Sequence, residues 1–494
     1  MQNVNKSLNE SLQAKYPHLE LAILLLSQVN KDNESKRIDS EYFKKEYLEN
    51  EERLLNLNSV KLGKICSFIC NGDDCRDYKE NGLKYIRTGD IKEYGLDLCN
   101  CATIRDDFIS NIKLEIGDLL VTRKGNYGKS QVVNNIEILK SIVSSEIFQI
   151  KLKDINPYFV DVFLKTKFGQ MQFEKNIHGV SNFSVTQESL LNFLIPLFPK
   201  PFQLEIEKLV KQSHEALEDS KRLYKETQEL LYKELELDFK NPLKSLLKSS
   251  LQAKKANELA IINGISKKYP HLNISVRPLS KSLHKSGRLD SEYYQSKYDL
   301  MENKIKSFSH KKLGELVSIQ KSIEPGSEAY QDEGIEFVRV ANLGKFGLSK
   351  SDIYLNEQDF SKELKKLAPK KETILLSKDG SIGISYCLEE DLECITSGAI
   401  LHLKVKDKSE ILPQVLSLIL NSIVAKLQAE RDAGGSIIAH WKISEIENVL
   451  IPLFDFKLQE QIALKIQKSF TLRAKSKDLL QNAKIKLENA IENG

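Results

Sequence analysis

At 494 residues the chain is longer than one hydrophobic core usually serves, so two or more domains are expected. Its 41% hydrophobic and 29% charged residues describe an ordinary soluble globular protein with long exposed helices. A formal net charge of +4 permits local basic faces but excludes arguing a polyanion partner from charge alone. Apolar runs such as 21–26 fall far short of the ~20 residues a membrane-spanning helix needs. The first ten residues lack the basic-then-apolar pattern of a signal segment, so the chain is read as cytoplasmic, with no membrane partner.

Taken in order, the chain repeats itself. KYPHL at 15–19 returns at 268–272, and RIDSEYF at 37–43 returns as RLDSEYY at 288–294. KLGKICS at 61–67 matches KLGELVS at 312–318, and KYIRTGDIKEYGL at 84–96 matches EFVRVANLGKFGL at 336–348, with Arg87 on Arg339. GDLLVTRKGNYGKS at 117–130 matches ETILLSKDGSIGIS at 372–385, which puts Gly125 on Gly380 and Gly128 on Gly383. LIPLF stands at both 194–198 and 450–454. The offset drifts only from 251 to 256, so the halves share nearly every connection length. A self-repeat this long predicts two domains, because solenoid units run only about 20 to 50 residues.

Within each half, short β-rich runs bounded by Gly and Asp predict strands at 84–87, 119–123 and 143–152, with partners near 336, 374 and 396. One helix is predicted at 157–175 and its copy at 413–431, each with Pro in the first turn, where a missing N–H costs nothing. The Lys/Ser-rich segment 238–255 reads as the join between the halves.

Residues 202–237 hold no Gly or Pro. Ile206, Val210, Ser213, Leu217, Ser220, Tyr224, Thr227 and Leu231 recur there at alternating four- and three-residue steps, the coiled-coil seam period. Such a helix is roughly 54 Å long at 1.5 Å per residue. Residues 458–491 match it at an offset of 256: Ile462 and Ile466 answer to Ile206 and Val210, Leu480 to Tyr224, and Leu487 to Leu231. One seam row is small, with Ser213, Ser220 and Thr227 in the first helix and Ser469, Ser476 and Ala483 in the second. Small residues let helices approach closely, so the two are expected to pack antiparallel on each other; packing on the helix's own globule or on a partner's helix is the alternative. The expected fold is a tandem-duplicated, pseudo-two-fold arrangement of mixed α/β (α+β) globules with two long coiled-coil helices. Its divisions are 1–200, 201–240, 241–454 and 455–494.

Catalytic chemistry is hard to find. GNYGKS at 125–130 has two residues before Gly-Lys-Ser where a phosphate loop needs four, and its copy lacks the lysine. There is no Asn-Pro-Pro-Tyr-like methyltransferase tetrapeptide, nuclease carboxylate–lysine cluster, His-Glu-x-x-His helix or Gly-x-Ser-x-Gly elbow. The repeated Arg-(Ile/Leu)-Asp-Ser-Glu-Tyr reads as structure: Asp39/Ser40 and Asp290/Ser291 as helix caps, Arg37 and Arg288 as ion-pair partners. Only His18 and His271 repeat among the histidines, which suits a turn. Cys70, Cys75, Cys99 and Cys101 lack structural-zinc spacing, and the second half does not repeat them, so no metal is expected. No catalytic residue is expected in the chain.

The loops suit another role. A Gly-x-x-Gly turn flanked by cations lets backbone N–H groups and side chains approach a phosphate or a base edge. Arg87, Arg123, Lys124, Asn126 and Lys129 in the first half, and Arg339, Lys378 and Ser381 in the second, are the candidates for DNA contact. The late loops, where the halves differ most, add His178, Asn182, His440 and Trp441 as candidate base readers. A two-fold-like protein matches duplex DNA, and a rod of this length covers roughly 15 base pairs at 3.4 Å each.

The duplication resembles the specificity (S) subunits of type I restriction–modification systems across essentially the whole chain. The resemblance rests on the Lys-Leu-Gly starts at 61 and 312, the strand–Gly loops at 117–130 and 372–385, the Ile-Pro-Leu ends at 195 and 451, and the long helix after each. It implies a non-catalytic subunit with two target-recognition domains. The implied partners are double-stranded DNA, two adenine methyltransferase (M) subunits and motor/nuclease (R) subunits. S-adenosylmethionine, ATP and Mg would belong to those partners. The KYPHL extensions depart from the pattern. A related reading is an S-like partner of a fused methylase–nuclease; one from another class is a coiled-coil adaptor without DNA binding, which leaves the divergent Gly-rich loops unexplained.

Overall fold

The computed structural model describes residues 11–30, 33, 36–93, 95, 96, 98, 101–110, 112–177, 183–251, 268, 279, 288–434 and 439–494. Two compact units emerge, 1–218 with 472–494, and 219–471. The first long helix spans Lys200–Glu234 and the C-terminal helix Phe456–Asn493, so each contributes one part to either unit.

In the first unit a four-stranded antiparallel sheet runs Cys66–Asn71, Ile147–Leu152, Leu119–Thr122, Ser130–Val132. Leu119–Thr122 is buried throughout, as an apolar run flanked by strands and covered by helices must be. A second sheet runs Ile142–Val143, Leu83–Ile86, Ala102–Ile104, Tyr78–Lys79, its first pair parallel. Ser59–Lys61 pairs with Leu194–Pro196, tying the start of the globule to the strand that feeds the long helix. The second unit repeats this topology strand for strand. Its sheets run Val317–Lys321, Ile400–Val405, Ile374–Ser377, Ser385–Cys387, and Cys394–Thr396, Ile335–Val338, Tyr354–Leu355, Tyr330–Gln331. His310–Lys312 pairs with Leu450–Pro452 as before.

Three expectations change in detail. The run 143–152 is two strands of different sheets, because a turn at 144–146 turns the chain from one to the other. The helix expected at 157–175 is two, Pro157–Lys165 and Lys167–Lys175, and its copy is Pro413–Leu420 and Ile423–Asp432. The same device breaks both. Thr166 donates its hydroxyl to the Phe163 carbonyl and accepts from Gly169 N–H; Ser422 donates to Ile419 and accepts from Val424 N–H. A hydroxyl that satisfies the local backbone makes a fresh N-cap cheaper than another helical turn. Part of the expected join is a helix, Pro242–Leu251, whose Leu246 is buried in the second core.

The Arg-x-Asp repeat is structural. The Arg37 guanidinium pairs with Asp39 at 2.7 Å and donates to the Ile177 carbonyl; Arg288 does the same with Asp290 and the Arg431 carbonyl. Asp39 and Asp290 cap tight turns rather than helices, accepting from the N–H of Tyr42 and Tyr293. His18 sits in a turn, and His271 lies outside the described residues.

Within each unit the two long helices run antiparallel and touch through their small row. In the first unit Ser213 donates to the Ser476 carbonyl at 2.7 Å, and Glu205 pairs with Lys486. In the second, Ser469 donates to the Ser220 carbonyl at 2.8 Å, and Glu226 pairs with Lys465. Ile206, Val210, Leu480 and Leu487 belong to the first unit's core; Leu231, Ile462 and Ile466 belong to the second's. Leu217 is buried in the first unit beside Gly95. The seam residues thus face the other long helix and the globule together, so self-pairing and packing on the globule coexist.

Candidate nucleic-acid interface

Two stretches read separately in the sequence meet in space. In the first half, Gly125 N–H donates to the Phe183 carbonyl at 3.0 Å, Val185 N–H donates to the Arg123 carbonyl at 2.8 Å, and Lys124 bridges Ser184. In the second, Gly380 N–H donates to Ala439, Trp441 N–H donates to the Lys378 carbonyl at 2.8 Å, and Asp379 bridges His440. Gly125, Gly128, Gly380 and Gly383 have φ of 62°, 75°, 71° and 80°, the left-handed region a Cβ disfavours. Each Gly-x-x-Gly turn is therefore pinned against the end of the late loop by the same backbone bonds, with different side chains on top.

The first junction is cationic. Lys124 and Asn126 are exposed. The Arg123 guanidinium lies 5.3 Å over the Phe148 ring and donates to the Ser145 carbonyl. Arg123, Lys124, Arg87 and Arg76 line a pocket of about 650 Å³ together with Asp74 and Glu146. Arg87 reaches it from a short turn in which its backbone N–H donates to Asp90; its side chain pairs with Asp90 at 3.5 Å. Arg339 begins the same turn in the second half, with Asn342 as acceptor, and pairs with Asp352 at 2.8 Å.

The second junction carries a carboxylate. Asp379 takes an ion pair from Lys378 and lies 2.9 Å from His440 Nδ1, and these hydrogen bonds outweigh burial to hold its carboxyl below the usual range. His440 and Ser381 are exposed. A fixed carboxylate can accept from a base edge, and an imidazole N–H can donate to a base edge or a phosphate.

Not every sequence candidate reaches these surfaces. Trp441 is 1% exposed and packs in the second core. Its counterpart Val185 is equally buried, so Trp441 is framework and leaves the set of candidate readers. Lys129 points away from the first junction into a different pocket of about 310 Å³. His178 and Asn182 lie outside the described residues. The sequence reading missed Asp379 and Arg76. Asp379 was reachable, since the offset of 255 that aligns the glycines also sets it on Lys124.

Among the described residues no group of three or more His, Cys, Asp or Glu is arranged to hold a metal ion. Cys101 donates to the Tyr85 carbonyl at 2.9 Å, Cys70 contacts Gln149, and Cys99 lies outside the described residues. No helix among the described residues is long and apolar enough to cross a membrane.

The fold and paired loops define a tandemly duplicated protein of two α/β globular halves with long helices that pack together. Residues 305–488 match the family model of the type I restriction modification DNA specificity domain. The match lies in the second half of the chain, whose strand topology the first half repeats. Solved structures similar to the chain include the type I restriction-modification S subunit from M. genitalium, at 14% identity and a TM-score of 0.39, covering 88% of this chain and 96% of that one. The HsdS subunit from Thermoanaerobacter tengcongensis is 17% identical, with a TM-score of 0.26, covering 88% and 94%. A structure described for complex assembly and conformational transition of the type I R-M system is also 17% identical, with a TM-score of 0.27, covering 88% and 95%. No curated protein matches the chain.

Proposed function

We propose that the chain is the non-catalytic, DNA-reading specificity subunit of a type I restriction–modification complex. Each half reads one part of a bipartite target, and the paired helices set the gap and dock two methyltransferase subunits. Motor/nuclease subunits complete the assembly, which works in the cytoplasm. S-adenosylmethionine, ATP and Mg serve those partners. The division into readers at 1–200 and 241–454 and helices at 201–240 and 455–494 belongs to the same reading.

The observation that carries it is one loop junction built twice, the second time inside the matched specificity domain. A constant backbone frame with Lys124 and Ser184 in one copy and Asp379 and His440 in the other suits two readers of different sequence. Arg87, Arg123, Lys124 and Asn126 are the proposed contacts of the first half; Arg339, Lys378, Ser381, Asp379 and His440 are those of the second.

The test is genome-wide mapping of methylated adenine in cells that express the chain with its methyltransferase, against cells without it. A bipartite motif that depends on the chain supports the reading, and exchange of the first half for another subunit's should change one half-site alone. Absence of any dependent motif would leave an adaptor without DNA binding.

A further inference from the structure

The pocket beneath the first Gly-x-x-Gly turn gathers lysines from separate parts of the chain. Lys92 comes from a short strand, Lys129 from the end of the turn, Lys165 from a helix and Lys484 from the C-terminal helix, around about 310 Å³. Lys165 is committed to buried Asp161 at 2.8 Å. For Lys92, Lys129 and Lys484 the described residues provide no ion-pair partner within 4 Å, although Glu93 shares the lining. Burial, and then the nearby Lys92, push the Lys129 ammonium below its ordinary range. A half-buried cation that Glu93 reaches only at a distance, with no ion pair, is costly unless an anion joins it.

The duplicate shows that Lys92, Lys129 and Lys484 are not needed by the fold. Their matching positions are Gly344, Ile384 and Gln228, all uncharged. Lysines stand instead where the first unit has Glu93, Gln170 and Gln481, as Lys345, Lys426 and Lys225 of the second. The basic character is shared between the halves while its positions differ, as expected of a surface that meets a repeating anion.

We propose that Lys92, Lys129 and Lys484 form an oxyanion site that holds one phosphate of the DNA backbone, joining the Gly-x-x-Gly turn to the C-terminal helix. The site deepens the DNA-reading proposal and rests on it for the source of the phosphate. A single phosphate neutralised by three lysines releases counterions once, so the three side chains act on the salt dependence as a unit.

The experiment compares the full-length chain with Lys92→Gln/Lys129→Gln/Lys484→Gln and with Lys129→Arg. Duplex-DNA affinity is measured across salt concentrations, and acylation of Lys129 and Lys484 is followed by mass spectrometry with inorganic phosphate or duplex DNA present. The expected results are a slope of log affinity against log salt reduced by about 0.9 in the triple variant, no reduction in Lys129→Arg, and slower acylation with either ligand. A slope reduced by about 2.7 would mean three separate contacts and overturn the single site. Protection by phosphate with an unchanged slope would keep the oxyanion site but overturn DNA as its source. Neither effect would overturn the whole proposal. Failure of the unaltered chain to bind duplex DNA would sink the DNA-reading proposal and this phosphate source, while protection by inorganic phosphate would still decide the site.

Discussion

Ser213 Oγ lies 3.0 Å from Ser476 Oγ and donates to the Ser476 carbonyl, so two long helices touch through hydroxyls where a coiled coil normally puts Leu. Both serines are fully enclosed or nearly so, at 0% and 1% exposure. Ser213→Ala, which removes the bonds to the Ser476 carbonyl and hydroxyl, is expected to cost about 1 kcal/mol. Ser213→Leu must force the helices apart and should cost about 1–3 kcal/mol. Calorimetric unfolding of the two variants should rank them in that order.

The halves solve one buried polar contact in two ways. In the first, Ser130 donates to Asp161 at 2.7 Å and Lys165 neutralises that carboxylate. In the second the matching residues are Ser385, Ser417 and Asn421; the two hydroxyls meet at 3.0 Å, and Asn421 donates to the Ser385 and Ser417 carbonyls. Lys165→Asn alone strands a buried carboxylate and should cost about 3–5 kcal/mol. Asp161→Ser/Lys165→Asn copies the second half and should recover most of that loss in a denaturant titration.

His402 is 2% exposed and lies 2.9 Å from the Thr396 hydroxyl. Burial, reinforced by Lys404, lowers its pKa from 6.5 to about 4. The unfolded chain therefore binds the proton first. Stability is full above pH 6.5 and falls as pH drops toward 4, by about 3 kcal/mol over that window. His402→Gln, which copies Gln149 of the other half, should flatten that part of the stability–pH profile.

Trp441 and Asp379 separate framework from proposed reader. Trp441→Ala opens a cavity in the second core and should cost about 3–5 kcal/mol without changing the bases recognised. Asp379→Ala frees Lys378 and His440, and on the DNA-reading proposal should shift preference in one half-site by about 1–3 kcal/mol per base. Lys124→Glu should act on the other half-site. Methylation maps of the three variants, beside their melting temperatures, check this.

The sequence by itself determined the duplication, the two long helices, the small seam row and the glycines of the Gly-x-x-Gly turns. These are local or periodic: a seven-residue repeat, a left-handed φ and a Pro at a helix start each act within a few neighbours. Tertiary structure decided the rest. Whether 143–152 is one strand or two depends on which strands lie beside it, and whether Trp441 reads or packs depends on the core beneath it. Lys129 and Lys484 are 355 residues apart. Only the closing of the globule onto the C-terminal helix brings them to one pocket, because no local propensity encodes the contact between them.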